Sequence, residues 1–518
     1  VPYLDLLPSA AAMRAADAAA VAAGLTAFAL MENAGRAAAQ HLLASLLPEH
    51  TVLVACGRGG NGGDGFAMAR ALAEAGVYVE VWMAHPPAAL RDDARQHYDL
   101  LQRLAPDLPG YLAFVTEETM GPDFTYGVDA LLGTGQTGPL RPPEAYGAAL
   151  LRSRASLLVA LDVPAGLNAG TGVAADGAVT ALETLTFAAE KPGLRLHDGP
   201  AHAGVVTVLP IGLPAPLLER MLAAHGGAFA STDDWARAVQ PRRAADAHKF
   251  SAGTALVVAG SDAYLGAPRL AATAAARAGA GYVRLVTAAD AVPLVAPSML
   301  DIPTTAWPLA PDGGLDPTAI ETTVREMLRK TNALVVGPGL GRAASTQEAV
   351  RRLLLAFDGP AVIDADALAA VTPDFLRDHA SGRWVVTPHA GELARLVGTD
   401  RVDLTDRVAV ARDLAARWNA VVVLKGLPSV VAEPPSKDQP GRVAVSTPHS
   451  PALATAGTGD VLAGMIGGFL AQGLSPFDAA LLALHTGGRA ALRYARRRAE
   501  TSMQASDLLR LVPRLLAR

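Results

Sequence analysis

Toward its C-terminal end the chain carries Ala456-Gly457-Thr458-Gly459-Asp460, followed at once by the helix-forming run Val461-Leu462-Ala463. A Gly-Thr-Gly turn that opens a helix aims several backbone N–H groups at one anion, with the helix dipole behind them. The next residue is an acid. Donors for phosphate beside a carboxylate able to accept a proton are what phosphoryl transfer to a hydroxyl requires. Taken alone, Asp460 also fits a plain helix cap.

A second glycine-rich loop, Gly57-Arg58-Gly59-Gly60-Asn61-Gly62-Gly63-Asp64-Gly65, follows the apolar run Thr51-Val52-Leu53-Val54-Ala55. Gly57, Gly59 and Gly62 satisfy G-x-G-x-x-G, and Glu80 stands at about the distance of a ribose-binding acid, so a dinucleotide-binding dehydrogenase half-domain is one reading. Asp64, expected at the start of the next helix, opposes it, because a carboxylate there competes with a pyrophosphate for the same N–H groups. Asp129 (in Asp129-Ala130-Leu131-Leu132-Gly133-Thr134-Gly135) and Asp162 (in Asp162-Val163-Pro164-Ala165-Gly166-Leu167-Asn168) each follow a strand-like run. With Asn61 they converge at the carboxyl edge of a parallel sheet, where such folds bind ligands. Asn and Asp oxygens with loop carbonyls suit a hard cation.

The C-terminal half repeats the pattern of strands ending in Gly, Pro or polar groups: Gly260-Ser261, Gly337-Pro338-Gly339-Leu340-Gly341, Asp364-Ala365-Asp366, Thr387-Pro388-His389-Ala390-Gly391-Glu392 and Leu424-Lys425-Gly426. Lys425, at a strand end before glycine, fits a phosphate contact. There is no G-x-x-x-x-G-K-[ST] and no protein-kinase signature.

Elements must position these residues. At 518 residues the chain exceeds one ordinary core, and 51% hydrophobic against 18% charged residues fits well-buried α/β domains. The net charge of −5 gives no reason to expect nucleic acid. One cysteine, Cys56, excludes a disulfide framework and a Cys-based zinc site. Residues 1–12 lack a basic stretch followed by an apolar core, and no run of about 20 apolar residues is free of charges and turn formers, so no secretory signal or membrane span is expected and the cytoplasm is the default. Strand-like runs at 51–55, 77–82 and 156–161 alternate with helical patterns at 64–75 and 90–104, after Ala-rich helices at 9–23 and 26–47. Residues 209–240, rich in Pro and Gly, break the pattern. That places the domain boundary near residue 230, with domains at 1–225 and 232–518. Buried strands then resume at 254–259, 282–287, 333–336, 361–363, 384–386 and 420–424, and the charged, Pro-rich stretch 433–441 reads as an exposed loop.

The first half resembles the YjeF N-terminal family, the NAD(P)H-hydrate epimerases, through Leu30-Met31-Glu32-Asn33-Ala34-Gly35, the 57–65 loop, Leu132-Gly133-Thr134-Gly135, the 162–168 string and Thr186-Phe187 to Lys191-Pro192-Gly193. The resemblance implies a Rossmann-like three-layer αβα domain. It implies potassium held by Asn61, Asp129 and Ala165. It also implies a hydrated dinucleotide bound by Gly60, Asn61, Gly62, Gly63 and Asp64 and by Gly133, Thr134, Gly135, Gln136, Thr137, Gly138 and Pro139, with Asp162 at the reacting centre. Gly60 stands where the family usually has a second Asn, and Ala165 where it usually has Ser. The second half resembles the YjeF C-terminal family, the ADP- or ATP-dependent NAD(P)H-hydrate dehydratases, within the ribokinase-like αβα architecture; Thr-Pro-His-x-Gly-Glu and Gly-Thr-Gly-Asp are its most specific strings. This implies Asp460 as the catalytic base and a nucleotide held by Lys425, Gly426, Leu427, Pro428 and Ser429 (where the family often has Thr) with Gly457, Thr458 and Gly459. Ala267, Gly339 and His389 then line the hydrate pocket, magnesium rides on the phosphates, and fused two-domain forms favour ADP over ATP.

The expectation is therefore a two-domain α/β repair enzyme whose first domain interconverts hydrate epimers and whose second dehydrates one of them, acting as a homo-oligomer. Three alternatives stay open on the residues: a ribokinase-like kinase for a vitamin-type alcohol with an N-terminal regulatory domain, a first domain that only binds, and an NAD-dependent dehydrogenase.

Overall fold

Apolar runs closed by glycine become parallel strands in both halves of the chain. A computed structural model describes residues 4–517 apart from 122 and divides into two compact units, Asp5–Ala228 and, in the main, Phe229–Arg518. In the first, strands β1 (Thr51–Cys56), β2 (Tyr78–Met83), β3 (Leu112–Val115), β4 (Phe124–Ala130), β5 (Ala155–Leu161), β6 (Glu183–Phe187) and β7 (Val205–Leu209) form a seven-stranded sheet in the order β3-β2-β1-β4-β5-β6-β7. Every neighbouring pair is parallel. Along β1, Val52, Val54 and Cys56 enter one core while Leu53 and Ala55 enter the other, so both faces are covered by helices. The order reverses between β1 and β4, which opens a crevice at the carboxyl ends of those strands.

The Ala-rich helices Ala10–Ala22 and Ala27–Leu43 begin at Ser9 and Thr26, whose hydroxyls accept from Ala12 N and Ala29 N at 3.1 and 3.2 Å. The glycine loop is not all loop. A helix spans Gly60–Glu74, so Asp64 sits one turn inside it and does not open it. Glycine is a poor helix former, and here close packing overrides propensity: a Cβ on Gly62 would lie 1.9 Å from Gly57 O, and one on Gly63 would lie 2.2 Å from Met31 Sδ.

In the second unit, with β8 (Gly227–Ala230) entering it at Phe229, β9 (Thr254–Val258), β10 (Tyr282–Ala288), β11 (Thr304–Trp307), β12 (Ala333–Val336), β13 (Ala361–Ile363), β14 (Trp384–Val386), β15 (Val421–Leu424), β16 (Val430–Ala432) and β17 (Val443–Val445) follow the order β8-β17-β16-β15-β14-β13-β12-β9-β10-β11. Pairing is parallel except where β16 runs antiparallel to β15 and β17. The charged 433–441 stretch joins β16 to β17 as a loop. Residues 209–240 differ from the expected break: they hold helices Ala215–His225 and Asp233–Val239 around β8. Pro214 and Pro216 sit at the first helix's N-terminus and Gly226 ends it at φ 85°, so these residues, read as breakers, are its punctuation. Among the described residues no single helix is long and apolar enough to cross a membrane.

The helix Thr458–Ala471 is seated by its own glycines. A Cβ on Gly464 would stand 2.1 Å from Ala271 O, and one on Gly468 2.5 Å from Ala275 O, both on helix Gly266–Arg277. Gly464→Ala is expected to cost about 1–3 kcal/mol through overpacking, read as a lowered thermal midpoint. Gly266→Ala, with nothing within 4 Å of its Cβ, leaves the midpoint unchanged or raises it.

Candidate active sites

In the second unit three strand ends and one helix start build the site. Asp364 follows β13, Thr387 follows β14 and Lys425 follows β15, while Asp460 lies in the first turn of helix Thr458–Ala471. Asp364, 2% exposed, accepts from Thr387 Oγ1 at 2.6 Å and from Lys425 Nζ at 2.9 Å. Lys425 Nζ also lies 3.3 Å from Glu392 Oε2. Burial disfavours the ammonium, but Asp364 and Glu392 outweigh it and raise the lysine's pKa.

The turn adjoins this pair. Gly457 sits at φ 87°, and the position its Cβ would take is 3.9 Å from Asp460 Oδ2. The corresponding point on Gly459 is 3.9 Å from Lys425 Nζ and 4.0 Å from Asp364 Oδ2. Thr458 Oγ1 donates to Leu453 O and Thr455 O, both at 2.9 Å, so it braces the turn from behind. The N–H groups of Gly459 and Asp460 have no acceptor among the described residues. Burial, then the negative charge of Asp364, pushes the Asp460 carboxyl up to about 7, against the opposing pull of Lys425.

A cavity of about 330 Å³ opens beside the turn. Lys425, Gly426, Leu427, Ser429, Thr458 and Gly459 line it, whereas Pro428 and Gly457 do not. Sequence reasoning missed its remaining wall, which includes Ser446, His449, Ser450, Leu453, Leu462 and Met465. The Pro- and Ser-rich string 446–451 was the available signal. It also missed Arg407, whose Nη2 donates to Leu424 O at 3.1 Å and Lys425 O at 3.2 Å. A Cβ on Gly426 would strike that guanidinium at 2.2 Å. The three expected hydrate contacts stand apart from this cavity. Ala267 and Gly339 adjoin each other, Gly339 at φ 65°. His389 caps helix Ala390–Val397, its Nδ1 accepting from Gly391 N and Glu392 N, with the side chain 53% exposed.

The first unit's site lies at the β1–β4 crevice. A cavity of about 490 Å³ is lined by Gly60, Asn61, Asp64, Gly133, Thr134, Gly135, Gln136, Thr137, Pro139 and Asp162, but not by Gly62, Gly63 or Gly138. A neighbouring one of about 220 Å³ shares Gly60, Asp64, Thr134 and Asp162 and adds Asp17, Phe187 and Lys191. Asp162, at φ 62°, bonds the buried Lys191 Nζ and lies 3.3 Å from Thr186 Oγ1. Lys191 spends its other two protons on Thr186 Oγ1 and Phe187 O, each at 2.9 Å. Asn61 Nδ2 donates to Leu132 O at 2.8 Å and Leu161 O at 3.0 Å, which leaves its buried Oδ1 without a donor. Asp129, fully buried, accepts from Leu131 N at 3.1 Å and Ala165 N at 2.7 Å, and burial pushes it up to about 6. Glu80 is no ribose ligand: it is buried and accepts from Tyr78 Oη and Gly121 N.

Known proteins share both halves. A profile described as NAD(P)H-hydrate dehydratase matches residues 255–514, and one described as YjeF-related protein N-terminus matches residues 27–193. The chain is 44% identical to a bifunctional NAD(P)H-hydrate repair enzyme of Salinibacter ruber over 98% of its own length and 96% of the relative's. The chain belongs to the bifunctional NAD(P)H-hydrate repair enzyme family. A second member, from Moorella thermoacetica, is 36% identical over 94% of this chain and 92% of its own. A Bacillus subtilis structure, an ADP/ATP-dependent NAD(P)H-hydrate dehydratase co-crystallized with ATP/Mg2+, is 32% identical, covering 55% of this chain and 96% of its own at a TM-score of 0.46. Membership displaces the dehydrogenase and vitamin-kinase alternatives.

The charge arrangement of the second site has a direct readout. A carboxyl-selective NMR titration of Asp460 is expected to give a midpoint near 7. In Lys425→Met the midpoint moves higher, because removing the ammonium takes away the pull that lowers it; a downward shift would contradict the assigned contacts.

Proposed function

We propose that the chain repairs hydrated NAD(P)H in two steps, the first unit interconverting the epimers of the hydrate and the second dehydrating one of them with ADP or ATP. The observation that carries this is Asp460. Its carboxyl is held near neutrality between an amide-lined turn and the Asp364–Lys425 pair. Hydroxide is a poor leaving group and phosphate a good one. The N–H groups of Gly459 and Asp460 at the turn, left free among the described residues, hold the phosphates with Lys425. Asp460 takes the proton from the hydrate's hydroxyl as its oxygen attacks the terminal phosphorus, and the nucleotide leaves one phosphoryl group shorter. Loss of phosphate with a proton from the adjacent ring carbon restores the dihydronicotinamide. Magnesium bound with the nucleotide supplies charge neutralisation on the phosphates. The apolar wall beside the turn suits a nucleotide base, and Arg407 fixes the backbone of Lys425 and Gly426 beneath it.

In the first unit the orphaned Asn61 Oδ1 and the buried Asp129, which has no cationic partner among the described residues, fit a monovalent cation. Ala165 supplies its backbone alone. Potassium there steadies the crevice floor on which Asp162 stands.

Two assays test the halves separately. With resolved hydrate of NADH and either nucleotide, recovery of dihydronicotinamide absorbance follows the second unit. Asp460→Asn is expected to keep nucleotide binding while dehydration falls by roughly 10²–10⁴-fold. Because the base must be unprotonated, wild-type kcat/KM falls as pH drops through about 7. Undiminished turnover in the variant, or a phosphorylated product that accumulates, refutes the mechanism. Chromatographic interconversion of the two epimers without nucleotide follows the first unit; Asp162→Ala abolishes it, and exchange of potassium for tetramethylammonium weakens it. Interconversion that ignores both changes removes Asp162 and the cation from the reading.

A further inference from the structure

Epimerisation of the hydrate needs two proton carriers. The inverting carbon bears the hydroxyl and is bonded to the ring nitrogen. As the ring opens, the hydroxyl loses its proton and a carbonyl forms, while the carbon–nitrogen bond breaks with its electron pair staying on nitrogen. That nitrogen must gain a proton. Rotation of the freed carbonyl offers its other face, and reclosure returns both protons. Nothing is oxidised or reduced, and only configuration changes.

We propose that Asp64 is the proton donor to the ring nitrogen, acting opposite Asp162, which takes the hydroxyl proton; this rests on the reading of the first unit as an epimerase. Asp64 and Asp162 are the two acids that line both adjoining cavities. Arg58, Arg91 and Arg141 also line the larger cavity, but a guanidinium keeps its proton and cannot serve as the acid, and the remaining titratable groups are engaged or reach only one cavity. Lys191 gives its three protons to Asp162, Thr186 and Phe187, so it has none for a substrate. Glu144, on the far wall of the larger cavity, bonds His85 Nε2 at 2.8 Å. Asp17 lines the smaller cavity alone. The Asp64 carboxyl has no hydrogen-bond partner among the described residues and lines both cavities.

The electrostatics agree with the geometry. Burial first, then the charges of Asp162 and Asp17, push the Asp64 carboxyl well above the ordinary range, and Lys191 offsets only part of this. Asp162 has the lysine as its direct partner. Two carboxyl groups in one cleft, one paired with a lysine and one left to burial, have the unlike surroundings that an acid and a base require.

The test compares wild type, Asp64→Asn, Asp64→Glu and Asp17→Asn by chromatographic interconversion of the epimers across pH, with NAD+ binding by calorimetry and the thermal midpoint as controls. Asp64→Asn is expected to lower the rate at least about 100-fold with NAD+ affinity and midpoint kept, and to abolish the fall in rate at high pH that wild type is expected to show. Asp64→Glu restores part of the rate and that limb. An active wild type with undiminished Asp64→Asn, a high-pH limb that persists in Asp64→Asn, or a loss confined to Asp17→Asn overturns the assignment alone. A wild type that converts neither epimer overturns the epimerase reading and the assignment with it.

Discussion

One lysine among more carboxyl groups than it can pair is the constraint on which both sites depend. In the first unit Lys191 pairs with Asp162 and leaves Asp64 to burial; in the second Lys425 pairs with Asp364 and Glu392 and leaves Asp460 to burial. A buried charge without a partner is costly, so the unpaired carboxyl holds its proton more tightly. For Asp460 the rise from 3.8 to about 7 amounts to roughly 4 kcal/mol, at about 1.4 kcal/mol per pKa unit. That is the penalty relieved when the ionised group accepts a proton, and it makes Asp460 a stronger base than a solvated aspartate. The same shift acts on folding. Between pH about 4 and 7 the native state keeps a proton that the unfolded chain has lost, so this group's contribution makes the fold less stable as pH rises. The site is maintained at the expense of the scaffold.

The scaffold holds these groups still by close backbone approach. Gly464 and Gly468 let helix Thr458–Ala471 sink onto the carbonyls of helix Gly266–Arg277, and that seating fixes where its first turn, and hence Asp460, meets the strand ends. On the other side Arg407 ties the carbonyls of Leu424 and Lys425, so the lysine's backbone is held from beneath while its ammonium faces Asp364. Positioning by backbone contacts keeps Asp460 and Lys425 on rigid elements, as the geometry of a proposed active site requires.

What the sequence made legible is local chemistry. Gly457 to Asp460 could be read because the turn, its N–H groups and its acid are contiguous. Asp162 and Asp129 could be read because each stands at the carboxyl end of a strand, Asp162 just after β5 and Asp129 one residue before the end of β4. Asp364 and Glu392 stood within quoted strings, yet their role as partners of Lys425 was hidden, since the pairing crosses strand ends far apart in the chain. Arg407 gave no signal at all: it opens helix Arg407–Trp418 as one more surface-type residue, and its function is visible only when its guanidinium meets Gly426. The start of helix Gly60–Glu74 was misplaced for a physical reason. Glycine propensity argues for loop, and only the packing against Gly57 and Met31 shows why glycines are required in a helix there.

The two departures from the family pattern in the first unit differ in kind once their surroundings are known. Ala165 is fully buried and its methyl belongs to the apolar cluster with Leu131 and Val179, while its N–H and carbonyl bond Asp129 and Val179 N. The backbone thus does the polar work at this position, and the side chain contributes packing. Gly60 is the opposite case. It lines both cavities, and nothing lies within 4 Å of the point its Cβ would occupy. The missing side chain there widens the crevice mouth and leaves Asn61 beneath it unchanged, with Nδ2 pinned to Leu132 O and Leu161 O. Exchange at 165 therefore acts on the floor of the site through packing, whereas exchange at 60 acts on what can enter.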